Sequence, residues 1–536
     1  MDETTDETPH TFDAVVVGAG FAGLYMLHRL RGLGLRVRVF EAGGGVGGTW
    51  YWNRYPGARC DVESMEYSYQ FSDELQQEWE WTERYAGQPE ILRYIEHVAE
   101  RFDLLRDVQL DTRVLTAHFD DARNEWQIET ERERVTATYC IMATGCLSCF
   151  HTPAIAGREN FRGPTYHTGR WPHEGVDFRG RRVGLVGTGS SGVQAIPVIA
   201  REAAHLTVFQ RTPTYAVPAH NVPLSPEYQR DVKRRYRAFR EAGRQKHLGF
   251  GADYPTADDL GADAGAEQRA ARYEEYWHRG GLYFMGAFVD LMLNPEVNES
   301  GGEFVRRKIR NLVDDPAVAD RLSPYQVLGC KRLCVDTGYY ETFNRDNVHL
   351  VDVSQTPVDS FTEKGLKVGD TEYEFDAVVF ATGFDAMTGA LNRIDIRGLG
   401  GQALKGTWSA GPRTYLGLCT AGFPNFFVIA GPGSPSVLTN MVPAIEQHVD
   451  WIADCVSHLR RRGLRRIEAT QQAQDQWVDH VNEVASFTLF PSCNSWYLGA
   501  NVPGKPRVFM PYLSFPLYVE KCVEVVARGY EGFVLS

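Results

Sequence analysis

Long hydrophobic runs are missing from this 536-residue chain. The longest near-apolar stretch, Ala14 to Leu27, is short of a membrane span and contains three glycines. Cationic excess is missing as well. Lys and Arg number 56 against 69 Asp and Glu, a net charge of −13, which argues against nucleic acid or an anionic membrane as partner. The ten cysteines show no regular framework. Cys146 and Cys149 form one CxxC, and Cys330 and Cys334 a loose CxxxC, with no second pair at metal spacing. No zinc or other metal site is therefore expected. There is no low-complexity tract and no short repeat. The acidic start, Met1-Asp-Glu-Thr-Thr-Asp-Glu, is neither a signal nor a transit peptide. These absences predict a cytoplasmic protein with reduced thiols, large enough to bury its own core without staples.

What is present is a repeated strand-and-glycine pattern. Residues 1–11 read as a disordered tail. Phe12–Val17 is an apolar, β-branched run that predicts a buried strand. Gly18-Ala-Gly20-Phe-Ala-Gly23 follows, then a helix over Phe21–Gly32 and a strand over Arg36–Phe40 closed by Glu41. Tyr139–Met142 predicts another strand, ending in Ala143-Thr-Gly145. The unit then restarts. Arg182–Val186 leads into Gly187-Thr-Gly189-Ser-Ser-Gly192, a helix to about Ala203 and a strand over Leu206–Phe209. Asp376–Phe380 ends in a second Ala381-Thr-Gly383, and strand signals resume at Asn425–Ala430. The second unit thus lies inside the first. Arg211 to Lys331 lacks clear strands and reads as a helical insertion; Asp450 to Ala485 also reads as mostly helical. The expected fold class is α/β. Two Rossmann-like dinucleotide-binding domains are expected, the second nested in the first, with a helical insertion. The boundaries are 12–150 with 388–536, 151–222 with 331–387, and 223–330 for the insertion.

Each GxGxxG follows a predicted strand and opens a predicted helix, the context that makes the motif meaningful. Glycines allow a tight turn and close approach to a pyrophosphate, and the helix N-terminus offers N–H donors. The two copies differ one strand later. The first offers Glu41, 23 residues after Gly18, whose carboxylate can accept from ribose hydroxyls. At the same spacing the second offers Gln210 and then Arg211, which favours a ribose 2′-phosphate. The first site therefore suits FAD and the second NADPH rather than NADH.

Between the two units stands Phe161-Arg-Gly163-Pro-Thr-Tyr-His167-Thr-Gly-Arg-Trp171-Pro172. A second string runs from Gly47-Gly48-Thr49-Trp50 through Tyr55-Pro56-Gly57 to Asp61. Together they resemble the two signatures of the type I Baeyer–Villiger monooxygenases at every fixed position. Gly329-Cys-Lys331-Arg332-Leu, Gly411 to Gly417 and Ser495-Trp496 to Gly504 extend the likeness essentially end to end. The chain is most similar to the phenylacetone, steroid and cycloalkanone enzymes of that family.

The resemblance implies a single-chain FAD enzyme that uses NADPH and O₂ to convert ketones to esters or lactones through a C4a-peroxyflavin. It implies a small-molecule ketone and O₂ as the only partners, and a monomer. It assigns the catalytic arginine to Arg332 and its orienting carboxylate to Asp61. It places Gly18, Gly20, Phe21, Ala22, Gly23, Glu41, Gly48, Thr49, Trp50, Asp61, Tyr67, Val114 and Met441 around FAD. It places Gly187, Thr188, Gly189, Ser190, Ser191, Gly192, Gln194, Arg211, Thr212, Lys331, Arg332 and Trp496 around NADP, with Trp496 in a mobile lid. A fixed cation that survives burial suits an oxyanion-forming reaction. His167 reads as a linker histidine between the nucleotide domains rather than a base, and Trp50 and Trp171 as core aromatics. One departure is Leu513-Ser514-Phe515, where relatives carry a Gly-Gly-Phe sequence one residue longer. The competing readings are a flavin N- or S-monooxygenase, a flavin disulfide reductase using Cys146 and Cys149, and a non-enzymatic nucleotide-sensing module.

Overall fold

The computed structural model describes residues 10–536. Residues 1–9 of the expected tail lie outside them. His10 and Thr11 do not belong to a tail: they open the strand His10–Val17 and pair with Val135 and Thr136.

Two sheets carry the two nucleotide units. In the first, His10–Val17 lies between Val37–Phe40 and Arg134–Met142, parallel to both. Phe426–Val428 joins Arg134–Met142 in parallel, which brings the C-terminal part of the chain back to the first sheet. The second sheet is all parallel, in the order Val348–Asp352, His205–Gln210, Arg182–Val186, Ala377–Phe380, Thr165–His167. In each sheet the strand before GxGxxG sits between its βαβ partner and the strand that ends in Ala-Thr-Gly. The crevice at that point is where doubly wound sheets bind ligands.

Alternation explains why both sheets are buried on both faces. Val15 and Val17 enter one core cluster with Phe40, Trp126 and Phe426, while Ala14 and Val16 enter another. In the second sheet Val378 and Phe380 face a cluster with Phe161 and Phe361, whereas Ala377 and Val379 face the shared core. That shared core runs through both sheets and the insertion. One element escaped the sequence pattern. Val114–Asp120, Glu125–Thr130 and Arg134–Met142 form an antiparallel meander added to the first sheet.

The insertion is helical, as the composition predicts, and its helices start where a polar cap meets proline. Ser225, Asn294 and Asp315 each accept a first-turn backbone N–H, and Pro226, Pro295 and Pro316 follow. The cap satisfies a donor that has no helical partner, and proline occupies a position that needs none. The Tyr228 to Arg244 stretch divides into two helices at Arg235. Ala216–Pro218, a short strand within the expected strandless stretch, pairs in parallel with Cys334–Asp336. The insertion leaves and returns through this pair, which places Lys331 and Arg332 on the return path. Cys330 is linked to Cys493 across 163 residues, with Cα atoms 5.5 Å apart. This corrects the expectation of uniformly reduced thiols: sequence spacing hides a pairing made by tertiary contact. Cys334 instead lies in the short strand, unpaired.

Trp126 is fully buried, packs against Phe119 and Phe426, and donates its indole N–H to the Pro424 carbonyl at 2.8 Å. Trp126→Ala is expected to lower stability by about 3–5 kcal/mol, measured as the shift in chemical unfolding of purified protein.

Candidate functional site

The two glycine loops are built alike. Gly18 has φ +106°, and a Cβ there would stand 2.5 Å from the Ala143 carbonyl oxygen. Gly187 has φ +110°, and its Cβ would stand 2.5 Å from the Ala381 oxygen. Each loop thus presses on the Ala-Thr-Gly turn of the neighbouring strand, which no side chain would permit. The helices that follow, Phe21–Gly32 and Ser190–Glu202, have Gly20 and Gly189 as caps without a capping side chain. Their first-turn N–H groups stay free for a phosphate. Phe21, Ala22 and Gly23 are buried, and the Phe21 ring packs on Tyr67 and Tyr69. What these residues can offer a ligand is backbone.

Glu41 is 5% exposed and accepts from the N–H groups of Ala19 at 2.7 Å and Gly43 at 2.8 Å. Burial raises its pKa while those donors oppose the rise. Its carboxylate keeps further lone pairs for ribose hydroxyls. Gly48, at φ +53°, abuts Gly20, and Thr49 and Trp50 begin the short helix behind it. The Trp50 indole donates to the Tyr67 hydroxyl at 3.1 Å. Val114 lies in the core cluster of Phe40 and Val17. Met441 opens the helix Met441–Arg462, whose cap Asn440 also donates to the Glu66 carbonyl at 2.9 Å.

In the second loop, Thr188 ties itself to the Thr212 carbonyl, and Ser190 lies against Cys334. A Cβ on Gly189 would meet nothing within 4 Å, which leaves room at the loop. Arg211 is exposed and Lys331 half-buried. Burial lowers the Lys331 pKa, and the nearby Arg211 charge pushes the same way. Among the described residues neither makes an ion pair. Two adjacent cations without a carboxylate suit a phosphate dianion. The residues therefore fit both nucleotides. Gln194 is differently employed: its amide accepts from the Tyr55 hydroxyl and donates to the Arg59 carbonyl. It clamps the second unit to the loop of the first.

Arg332 and Asp61, 271 residues apart, meet in a two-pronged ion pair. Nε donates to Oδ2 at 2.5 Å and Nη2 to Oδ1 at 2.8 Å. Nη1 donates to the Val437 carbonyl at 2.7 Å. Burial works against the charge, and the Asp61 carboxylate outweighs it, so the guanidinium pKa stands above its ordinary value. Tyr497 is the site residue that sequence reasoning missed. Burial raises its phenol pKa, and the neighbouring Arg332 charge pulls it back. Only its position beside Trp496 hinted at this; their rings lie 4.3 Å apart. Their segment is held down at several points. Lys505 donates to Asp385 Oδ1 at 2.6 Å and to the Ala386 carbonyl at 2.7 Å; Asn501 donates to the Phe384 carbonyl at 2.7 Å.

Leu513-Ser514-Phe515 docks on the insertion. Ser514 Oγ lies 3.0 Å from His247 Nδ1, and the Phe515 N–H donates to the His247 carbonyl. Ser514 holds φ +81°, a conformation natural to glycine. Cys146 and Cys149 are buried and unpaired, and burial pushes the Cys146 thiol up to about 12. Buried, protonated thiols are poor redox partners for a flavin.

A family model described as "Pyridine nucleotide-disulphide oxidoreductase" matches residues 15–247. A "Baeyer-Villiger monooxygenase" of Pseudooceanicola batsensis is 43% identical over 99% of this chain and 98% of its own. An "Acetone monooxygenase (methyl acetate-forming)" of Gordonia sp. is 41% identical over 98% of this chain and 99% of its own. The solved structure titled "Oxidized steroid monooxygenase bound to NADP" is 51% identical, with a TM-score of 0.94, covering 98% of this chain and 99% of that one. The chain belongs to the Baeyer–Villiger monooxygenases. It is an FAD- and NADPH-dependent enzyme of that family, and its substrates are ketones and O₂. Among the described residues, no helix is long and apolar enough to cross a membrane, and no group of three or more His, Cys, Asp or Glu could hold a metal.

The fixed positions of the Phe161–Pro172 fingerprint of this monooxygenase are packing positions. Phe161 packs at a tilt against Phe361, and Gly163 leaves room for the Phe161 ring. Trp171 packs between Tyr166 and Phe178. His167 is 6% exposed; its Nδ1 accepts from the Gly169 N–H, and its Nε2 faces the His151 carbonyl and Thr382 Oγ1. It therefore joins the two connecting segments at 151 and 382. Burial lowers its pKa from 6.5 to about 4. The unfolded chain binds this proton below about pH 6.5 and the folded chain only near pH 4, so stability falls with acid across that window. His167→Gln is expected to flatten the loss between pH 6.5 and 4 by up to about 1.4 kcal/mol per pH unit, read from unfolding midpoints at each pH.

Proposed function

We propose that oxygen insertion takes place beside the Arg332–Asp61 pair, in the space bounded by Trp50, Tyr67, Met441 and the segment of Trp496 and Tyr497. When bound, FAD reduced by NADPH would activate O₂, one atom of which enters the ketone while the other leaves as water. The carrying observation is the two-pronged ion pair itself. It holds a guanidinium charged at partial burial, with its plane set by Asp61 and by the Val437 carbonyl. A permanent cation so placed stabilises an oxyanion developing at the substrate carbonyl, and needs no reorganisation at the moment of reaction.

The other residues divide the remaining work. Lys331 and Arg211 receive the 2′-phosphate of NADPH. The free N–H groups after Gly18 and Gly187 receive the two pyrophosphates. Trp496 and Tyr497 cover the site and exclude water, which strengthens every charge inside it. His167 keeps one tautomer and moves no proton; it sets the spacing of the two nucleotide units. We further propose a cytoplasmic monomer, as the family resemblance implies.

NADPH oxidation with product analysis over phenylacetone, small and large cycloalkanones and a steroid ketone is the test. Ester or lactone from at least one is expected. An N-oxide or sulfoxide as the sole product class across added amine and sulfide substrates would overturn the reading. Arg332→Ala should retain NADPH-driven flavin reduction yet lose ester formation by about 100-fold or more. Lys331→Ala should raise the KM for NADPH by about 10- to 100-fold while leaving that for NADH nearly unchanged.

A further inference from the structure

The Cys330–Cys493 link joins the two segments on which the proposed site depends. Cys330 immediately precedes Lys331 and Arg332, and Cys493 stands three residues before Trp496. Both are nearly buried, at 3% and 2% exposure. The other eight cysteines are unpaired. Local structure presents both thiols. The Cys330 N–H closes a turn onto the Val327 carbonyl, and the Cys493 N–H closes one onto Phe490. Arg507, from the far side of the same segment, donates to the Cys493 carbonyl at 2.9 Å.

The other ties on this segment are non-covalent and reversible: among them the Lys505 ion pair with Asp385, the Asn501 bond to Phe384, the Leu489 N–H bond to the Met292 carbonyl, and near its end the Gly433 N–H bond to the Met510 carbonyl and the Tyr512 N–H bond to Ser434. Such ties each contribute on the order of 1 kcal/mol, and a loop held by a few of them opens readily. A covalent link differs in kind. Three residues of extended chain span at most about 10 Å, so a linked Trp496 cannot leave the neighbourhood of Arg332.

We propose that Cys330 and Cys493 are an oxidative modification site, a staple that locks the covering segment onto the Lys331–Arg332 segment when oxidised and frees it when reduced. The inference rests on the reading of residues 487–514 as the cover of the site. The oxidant is hydrogen peroxide. One thiol, reached by the oxidant when the covering segment opens, attacks its O–O bond, giving a sulfenic acid and releasing water. The second thiol displaces the hydroxyl as a second water and forms the S–S bond, so two thiols and one peroxide give one disulfide and two waters. A dithiol reductant reverses the change by exchange. The pairing is consistent with an enzyme of a reducing compartment, where disulfides are commonly transient.

Holoenzyme is reduced with dithiothreitol, desalted, divided, and one half exposed to hydrogen peroxide. Each half is denatured, alkylated and mapped by peptide mass spectrometry, and native samples undergo limited proteolysis. The expected result is a Cys330–Cys493 linked peptide in the oxidised half alone, with the other eight thiols alkylated in both. Cleavage within 487–514 should be slower by about fivefold in the oxidised half. Cys493→Ser, and separately Cys330→Ser, should cleave at the fast rate in both halves. Absence of the linked peptide after peroxide, or its presence with equal cleavage rates, overturns the proposal. Neither readout involves a ketone, so a failed ester assay and a failed staple are distinguishable.

Discussion

Everything at the site converges on one half-buried attraction, that between Arg332 and Asp61. Its partners come from opposite parts of the chain. Asp61 ends the loop that follows the first nucleotide unit, and Arg332 lies on the strand return from the helical insertion. Taking both charges out of water is costly, and a buried ion pair is weak evidence of stabilisation. The geometry offers a different rationale. Two parallel hydrogen bonds fix the guanidinium plane, and the Val437 carbonyl fixes its far side. Lys331 lies close enough to Arg211 to feel its charge, and Tyr497 close enough to feel that of Arg332.

The pair can form only if the two sheets keep a set spacing, and that spacing is polar as well as hydrophobic. Gln194 clamps the second unit to the loop at Tyr55 and Arg59. His167, neutral across the physiological range, bridges residues 151 and 382. Lys505 and Asn501 tie the covering segment to residues 384–386, immediately beyond the same bridge. The Trp496–Tyr497 segment and the His167 bridge therefore both rest on the connecting segment after the second Ala-Thr-Gly.

Much of this was legible in the residues. The strand core at Phe12–Val17, the helix at Phe21–Gly32 and the whole second βαβ unit follow from apolar runs punctuated by glycine at fixed offsets. The nesting followed from strand signals resuming near 425, and Phe426–Val428 does return to the first sheet. Other features left no local trace. The antiparallel meander over 114–142 mixes charged and apolar residues at half-exposed positions, which blurs its alternation. Gln194 looks like any helix residue after a glycine loop, and its use as a clamp depends on a loop that is distant in sequence. The ten cysteines carry no spacing rule that would single out Cys330 and Cys493.

The sequence by itself determined the two nucleotide units and the family, because backbone turns and glycine spacing act over a few residues. Tertiary structure alone decided which charge faces which. The meeting of Arg332 with Asp61, of Tyr497 with Arg332 and of Cys330 with Cys493 depends on how two sheets and an insertion pack around a shared core. No residue carries that information individually, since packing is settled by the summed burial of surfaces remote from one another in the chain.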